Sequence, residues 1–178
     1  MKDNHTNNKY LGNLAFILHA HLPYVRKNEK NSLEEDWYFQ ALLECYLPLI
    51  RVLEESLKSE PDNAKLTISL SPTLISLFQS SELQGKFPDW INTRINLLKE
   101  LPEEQKNAAQ FLLKNMTDQL IYWEKCSGEI LNRFKYLLDS GCLDIITCAA
   151  THGYLPILRE NPETVVGQIK TAVRHHLN

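Results

Sequence analysis

Two short segments of this sequence carry three histidines, and each segment follows a run of apolar residues. The first segment is His19-Ala20-His21, and the second contains His152. An imidazole ring can bind a metal ion, carry a proton or exchange hydrogen bonds with hydroxyl groups. In α/β enzymes, the loops that follow strands hold much of the chemistry. These two segments therefore point to a functional site more directly than any other part of the chain.

The apolar runs predict three strands, at residues 13–18, 65–70 and 143–149. The first run is compact and ends where His19 begins, which favours a strand that is buried on both faces. Each strand is followed by a helical pattern, so strands and helices alternate along the chain. Such alternation predicts an α/β fold with a mostly parallel sheet and right-handed crossovers.

Helix boundaries are indicated by capping residues and prolines. Ser32 followed by Glu35 has the spacing of a capping box, and a long amphipathic pattern comes after it. Pro48 falls inside this pattern and is expected to kink or split the helix near its position. Ser71 and Pro72 form a helix start, with serine as the N-cap and proline at the first helical position.

A long helical excursion is predicted between the second and third strands. Its pattern runs with weak breaks from 102 to 138 and ends at Gly141, which suits a C-terminal cap. A last helix is expected from Asn161-Pro162 to the end of the chain. Residues 1–10 are polar and predicted to be a disordered tail. Residues 11–178 are expected to form one domain, because we find no repeat or linker.

The three histidines are expected to converge. His19 and His21 are two residues apart, so on a strand their side chains share a face at a spacing of about 7 Å. His152 follows the third strand, and parallel strands present their carboxyl ends on the same side of a sheet. A single histidine at such a place is commonly a structural polar group, but two clusters in equivalent positions favour a functional site.

The residues alone leave two chemistries open. His19, His21 and His152 could bind a metal ion, since an H-x-H pair supplies two imidazole ligands. They could instead recognise a polyol, with hydrogen bonds from the imidazoles and flat apolar faces from Tyr24 and Tyr154. No acidic residue accompanies His19 and His21 in their segment.

Composition narrows the range of partners. The 178 residues include 19 Lys and Arg against 22 Asp and Glu, for a net charge of −3, and the basic cluster 174–176 is too short to follow a phosphate backbone. We therefore expect no nucleic acid partner. The polar start of the chain and the lack of a long apolar stretch predict no membrane association and a cytoplasmic protein.

Three segments resemble signature regions of glycoside hydrolase family 57, in the form found in its α-glucan branching enzymes. The segment 18–25, with sequence LHAHLPYV, is similar to the first signature of that family. The segment 148–158, with sequence CAATHGYLPIL, resembles the region after its third strand, and 69–74, with sequence SLSPTL, resembles the loop after its second strand. The likeness runs over nearly the whole chain.

This resemblance implies the first three units of a parallel, seven-stranded β/α barrel that acts on α-1,4-glucan with retention of configuration. It implies that 11–178 is the N-terminal part of the catalytic domain, and that His19, His21 and His152 line the subsite around the scissile sugar. Together with the polyol interpretation above, this predicts that Tyr24 and Tyr154 also bind substrate. The family uses a glutamate nucleophile and an aspartate acid/base, the usual pair in retaining enzymes. Neither motif occurs in these residues, so both carboxylates are expected downstream.

Because the resemblance covers only the first three units of the barrel, it also leads to expectations about the whole protein. The resemblance implies no metal and no other cofactor, and it leaves open a second chain that completes the barrel. A barrel of this kind needs about 250 residues. Two alternatives therefore remain: a catalytically silent fragment or binding module that needs a partner, and a metal-dependent barrel hydrolase that uses the three histidines.

Overall fold

The structure is a computed structural model that describes residues 14–25, 32–59 and 65–177. The predicted tail at 1–10 lies outside the described residues. The strands are β1 (Ile17–Ala20), β2 (Leu66–Leu70) and β3 (Leu143–Ile146). The α-helices of the described part are, in chain order, α1 (Leu33–Ala41), α2 (Leu47–Ser59), α3 (Pro72–Phe78), α4 (Ser81–Lys99), α5 (Lys106–Lys125), α6 (Ile130–Asp139), α7 (Leu155–Leu158) and α8 (Pro162–Leu177).

The three strands form one parallel sheet in the order β1-β2-β3. This confirms the predicted alternation and the parallel pairing. Ala20 is paired with Leu70, and His19 is paired with Ser69. This register brings the carboxyl end of β1 beside the start of α3. The sheet is compatible with part of a seven-stranded β/α barrel.

Helices cover only one face of the sheet among the described residues. Leu70 and Leu143 are buried on the covered face, where they join the main hydrophobic core. On the other face Ile17 is 63% exposed and Ile146 is 40% exposed. The expectation that the first strand is buried on both faces is therefore wrong. The apolar run counts hydrophobic residues but does not show what covers them.

The strand boundaries also differ from the predicted ones. β1 begins at Ile17 and extends to Ala20, so His19 lies inside the strand and His21 lies just beyond it. β3 ends at Ile146, three residues before the predicted end. The apolar residues that follow β3 belong to the loop that carries His152.

The helix starts follow the sequence closely. Ser32 caps α1, and its hydroxyl accepts a hydrogen bond from the backbone N–H of Glu35. The Glu35 carboxylate does not complete the capping box, because it binds Lys86 of α4 at 2.8 Å. The interruption predicted at Pro48 is a π-helical turn at Leu42–Tyr46, which directly precedes α2.

The excursion between β2 and β3 contains more helix than predicted. No element is predicted for 79–101, where α4 lies and where Gly85 and Pro88 interrupt the helical pattern. The apolar residues Phe87, Ile91 and Ile95 recur at four-residue steps and could have revealed it. Next come a 3₁₀ turn at Glu103–Gln105, then α5 and α6.

Two glycines have left-handed backbone conformations at helix ends. Gly141 has φ +71° and ends α6, as predicted, and its N–H donates to the carbonyl oxygen of Leu138 at 2.9 Å. Gly128 has φ +72° between α5 and α6, and a Cβ atom there would lie 3.0 Å from the ring of Trp123. Among the described residues, no helix is long and apolar enough to cross a membrane.

Alanine substitutions at two glycines are expected to have opposite effects on stability. Gly128→Ala should lower the free energy of unfolding by about 1–2 kcal/mol, because alanine disfavours positive φ and its Cβ would crowd Trp123. Gly85→Ala should raise it by about 0.5–1 kcal/mol, since Gly85 lies within α4 with open space around it. Urea denaturation measures the free energy of unfolding of both variants. Equal effects of the two substitutions would contradict the different backbone conformations of Gly128 and Gly85.

Candidate functional site

Three imidazole rings meet at the carboxyl ends of β1 and β3. The Nε2 atoms of His19 and His152 are 2.7 Å apart, within hydrogen-bond distance. The ring of His21 stacks on that of His152, with centroids 4.3 Å apart and an interplanar angle of 15°. The centroids of His19 and His152 are 4.7 Å apart. The predicted convergence of the three histidines is therefore confirmed in geometry.

The backbone at His152 has an uncommon conformation that brings its ring to the other two. His152 has φ +56°, in the left-handed region, and its N–H donates to the carbonyl oxygen of Ala149 at 2.8 Å. A non-glycine residue pays about 1 kcal/mol or more for this conformation. Such strain persists where the surrounding structure fixes it, and functional sites are common places for it.

The loop that carries His152 is fixed from both sides. Thr73 of α3 donates its hydroxyl to the carbonyl oxygen of Ala150 at 3.2 Å. The side-chain oxygen of Gln168, on α8, accepts from the N–H of Thr151 at 2.9 Å, and its amide nitrogen donates to the Thr151 hydroxyl at 2.8 Å. Thr73 and Gln168 thus position the site. Neither residue is predicted from the sequence, because no local pattern indicates such contacts.

His21 has a buried hydrogen-bond partner. Its Nδ1 atom is 2.9 Å from the hydroxyl oxygen of Ser71, the N-cap of α3. Ser71 is fully buried, and its N–H donates to the carbonyl oxygen of Ala20 at 3.1 Å. From the sequence, Ser71 is predicted only as a helix cap, and the structure adds its contact with the histidine cluster.

The environment of His21 opposes its protonation. Burial lowers the pKa of His21 below its ordinary value of 6.5, and the neighbouring rings of His152 and His19 lower it further. The ring is therefore a neutral hydrogen-bonding group near pH 7.

We expect the low pKa of His21 to make stability depend on pH. Below pH 6.5 the unfolded chain takes up a proton at His21 while the folded chain does not, until the pH reaches the lower folded pKa. This contribution to stability is thus complete above pH 6.5 and is lost as the pH falls below it. Thermal denaturation at several pH values should show a smaller dependence in His21→Gln than in the parent. The exposed His176→Gln is the control, and equal dependence in all three proteins would contradict this.

The geometry is poorly suited to a metal ion. Two nitrogen ligands of a tetrahedral zinc ion are about 3.3 Å apart, given bonds of about 2.05 Å. The Nε2 atoms of His19 and His152 are closer than this and face each other. Among the residues that the structure describes, no group of three or more His, Cys, Asp or Glu side chains could hold a metal ion.

The two predicted tyrosines occupy different places. Tyr24 is 56% exposed and lines a cavity of about 350 Å³ beside His21. Tyr154 is 68% exposed, directly precedes α7 and does not line this cavity. Among the residues that the structure describes, the lining of the cavity includes no acidic, lysine or arginine side chain; it is formed by His21, Pro23, Tyr24, Pro72, Thr73, Ser76, Ala150, Thr151, Thr171 and His175. Hydroxyl, imidazole and apolar groups therefore surround it.

The chain combines a parallel β/α sheet with an imidazole cluster at its carboxyl edge, an arrangement typical of α/β enzymes. Comparison with known proteins shows the family to which the chain belongs. The profile of Glycosyl hydrolase family 57 matches residues 15–176. The chain belongs to this family, and the resemblance seen in its histidine segments is confirmed.

Relatives of the chain include branching enzymes and an amylase. A 1,4-alpha-glucan branching enzyme of Thermococcus kodakarensis is 32% identical over 165 residues, which cover 91% of this chain and 24% of that protein. The alpha-amylase AmyC from Thermotoga maritima has a TM-score of 0.79 and 32% identity, with 91% of this chain and 32% of that one covered. A family 57 branching enzyme from Pyrococcus horikoshii has a TM-score of 0.78 and 31% identity, covering 92% and 32%.

The matched region is only part of each relative. The chain spans about a quarter of the length of the curated relative from Thermococcus kodakarensis and about a third of the two matched structures. The fold and family are thus shown for this chain, and the activity of a whole protein is a separate question.

Proposed function

We propose that this chain is the N-terminal part of an α-glucan-active retaining enzyme, of the 1,4-α-glucan branching type, and that it supplies sugar-binding histidines. The single observation that carries the proposal is the meeting of His19, His21 and His152 at the carboxyl edge of the sheet. The family and the branching-enzyme relatives support the substrate class.

The chemistry of the cluster suits a sugar. Neutral imidazoles and hydroxyl groups both donate and accept hydrogen bonds, as sugar hydroxyls require. Within the described part of the chain, no Asp, Glu, Lys or Arg side chain lines the adjacent cavity, and Tyr24 offers an aromatic surface on which a sugar ring can stack. A neutral polyol fits these surroundings better than a charged ligand does.

Sugar binding can be tested directly on the 178-residue chain. Titration with maltotriose, followed by NMR of labelled histidines, should shift the ring signals of His19, His21 and His152 and leave that of the exposed His176 unchanged. Cellotriose, with β-1,4 links, is the matched control ligand and should have a weaker effect. Equal shifts with both sugars, or shifts confined to His176, would refute the proposed site.

The branching reaction requires two carboxylates, a nucleophile and an acid/base. We propose that these come from polypeptide outside these 178 residues, because the chain covers only a quarter of its branching-enzyme relative. The assembled enzyme would cleave an α-1,4 link and transfer the glucan to a 6-hydroxyl of an acceptor. New α-1,6 links formed from amylose support this activity, whereas shortened linear chains alone would assign the protein to a hydrolytic type.

The uncovered face of the sheet favours a second candidate, a binding module that is silent until further strands pack on it. Ile17 is largely exposed on this face, and β1 and β3 are edge strands within the described sheet. Exposed apolar edges promote association between chains.

We expect the isolated chain to lack transferase activity and to self-associate in sedimentation experiments. Ile17→Thr should reduce this association, because threonine keeps the β propensity but removes apolar surface. Val52→Thr is the matched control, since Val52 is an exposed apolar residue on α2. Branching by the purified chain alone would rule out the silent module, and equal effects of both variants would show that the sheet face is not the contact.

A further inference from the structure

Ser71 lies at the point where β2 ends and α3 begins, directly beside His21. The pairing of Ala20 with Leu70 sets this position, because the next residue of each strand is then His21 and Ser71. Pro72 favours an extended conformation for the residue before it, and Ser71 has φ −70° and ψ 144°. The backbone therefore places Ser71 beside His21, and the hydrogen bond from the N–H of Leu74 fixes its hydroxyl oxygen without help from a ligand.

The hydrogen bonds of Ser71 determine where its proton goes. The N–H of Leu74 can only donate, and it lies 3.2 Å from the Ser71 hydroxyl oxygen, which accepts. The other polar neighbour of this oxygen among the described residues is Nδ1 of His21, at 2.9 Å. Ser71 is fully buried, so water does not provide a further acceptor. The hydroxyl proton is satisfied only if it is donated to Nδ1 of His21.

This requirement fixes the tautomer of His21. A proton on Nδ1 would leave the Ser71 hydroxyl proton buried without an acceptor, a cost that corresponds to a ratio of about fivefold or more between the two arrangements. The neutral ring therefore carries its proton on Nε2. The stacked ring of His152 and the lowered pKa of His21 agree with a neutral ring.

We propose that Ser71 is a positioning residue that holds His21 as the neutral Nε2–H tautomer, so that the ring offers a hydrogen-bond donor to an oxygen atom of bound glucan. The glucan part of this inference rests on the proposed function, whereas the tautomer does not. The helix cap and the ligand-binding ring are thus joined by one hydroxyl group. The Nε2 atoms of His19 and His152, by contrast, lie within hydrogen-bond distance of each other, at 2.7 Å.

The tautomer can be measured by long-range ¹H–¹⁵N NMR of the labelled 178-residue chain, which distinguishes Nδ1 from Nε2. We expect the ratio of Nε2–H to Nδ1–H at His21 to exceed that of a free histidine side chain by about fivefold or more. Ser71→Ala should shift it toward the mixture of a free imidazole and raise the pKa of His21, because the bond to its neutral form is lost. The titratable rings that face His21 are His19 and His152, with Tyr24 and His175 lining the same cavity.

Two further variants separate this effect from the loss of a helix cap. Ser80 is the N-cap of α4, and its hydroxyl oxygen accepts a hydrogen bond from the N–H of Leu83. Ser80→Ala removes this cap and should leave the His21 tautomer unchanged. Ser71→Thr keeps the hydroxyl and should preserve the tautomer even if Ser71→Ala is poorly folded. Maltotriose affinity should fall about fivefold or more in Ser71→Ala and stay unchanged in Ser80→Ala.

The outcomes distinguish this inference from the proposed function. If His21 of the parent chain carries its proton mainly on Nδ1, or if Ser71→Ala leaves the tautomer unchanged, the inference is overturned, whether or not maltotriose binds. If the tautomer is as expected but maltotriose does not bind, Ser71 still determines the tautomer of His21, and the proposal that glucan binds this ring is refuted.

Discussion

Glu54→Ala is expected to lower the free energy of unfolding by about 3 kcal/mol. Glu54 lies on α2 and is buried, and its carboxylate accepts hydrogen bonds from the Tyr122 hydroxyl of α5 at 2.9 Å and from Nε of Arg133 on α6 at 2.7 Å. Alanine would leave the Arg133 guanidinium and the Tyr122 hydroxyl without their shared partner. Losing one member of such a network costs more than a surface ion pair is worth.

Chemical denaturation of the parent and three variants tests this expectation. Glu55→Ala is the matched control, because Glu55 is the next residue on the same helix and is exposed, so its effect should stay within about 0.5 kcal/mol. The Glu54→Gln variant keeps an acceptor oxygen and should lose less stability than Glu54→Ala. If Glu54→Ala and Glu55→Ala are equally stable, the network does not hold the three helices together.

The contacts of this network could not be predicted from the sequence. Tyr122 and Arg133 lie 68 and 79 residues from Glu54 along the chain, and no local pattern links them. The helices themselves could be anticipated from caps and periodicity, as with Ser71 at the start of α3. Which polar residue on one helix meets which on another is set by the packing of whole helices.

For the histidine cluster, too, one part could be predicted from the sequence and another part could not. Its location could be predicted, because parallel strands present their carboxyl ends on one side and His19, His21 and His152 follow two such ends. The direct contact between His19 and His152 could not. It depends on the left-handed backbone at His152, a conformation for which glycine, asparagine or aspartate would have been the usual signal.

The first strand illustrates a different limit. Its apolar run predicted a strand correctly but predicted burial wrongly, since Ile17 is largely exposed. Hydrophobic patterning indicates that a face is suited to burial, and the covering layer has to be found elsewhere. The exposed face and the partial coverage of the relatives agree with a sheet that is part of a larger barrel.

In the assembled enzyme of the proposed function, His152→Asn is expected to lower kcat/KM on amylose by about 100-fold, the scale of losing one preorganised hydrogen-bonding group at a reacting sugar. His152 contacts His19 and stacks on His21, so its removal also takes one contact away from each of the other two rings. Asparagine is chosen because it tolerates the left-handed backbone at this position. The turn with Ala149 should therefore survive, and the loss should reflect the missing ring.

The comparison with two other variants separates chemistry from folding. His152→Ala should lose a similar amount of activity but more stability than His152→Asn, because alanine disfavours positive φ. His176→Asn changes an exposed histidine on α8 and should retain parental kcat/KM. Since the three rings form one contact group, a double variant of His19 and His152 should lose less activity than the product of the single losses. Full activity in His152→Asn would remove the imidazole cluster from the sugar-binding site and, with it, the physical basis of the proposed function.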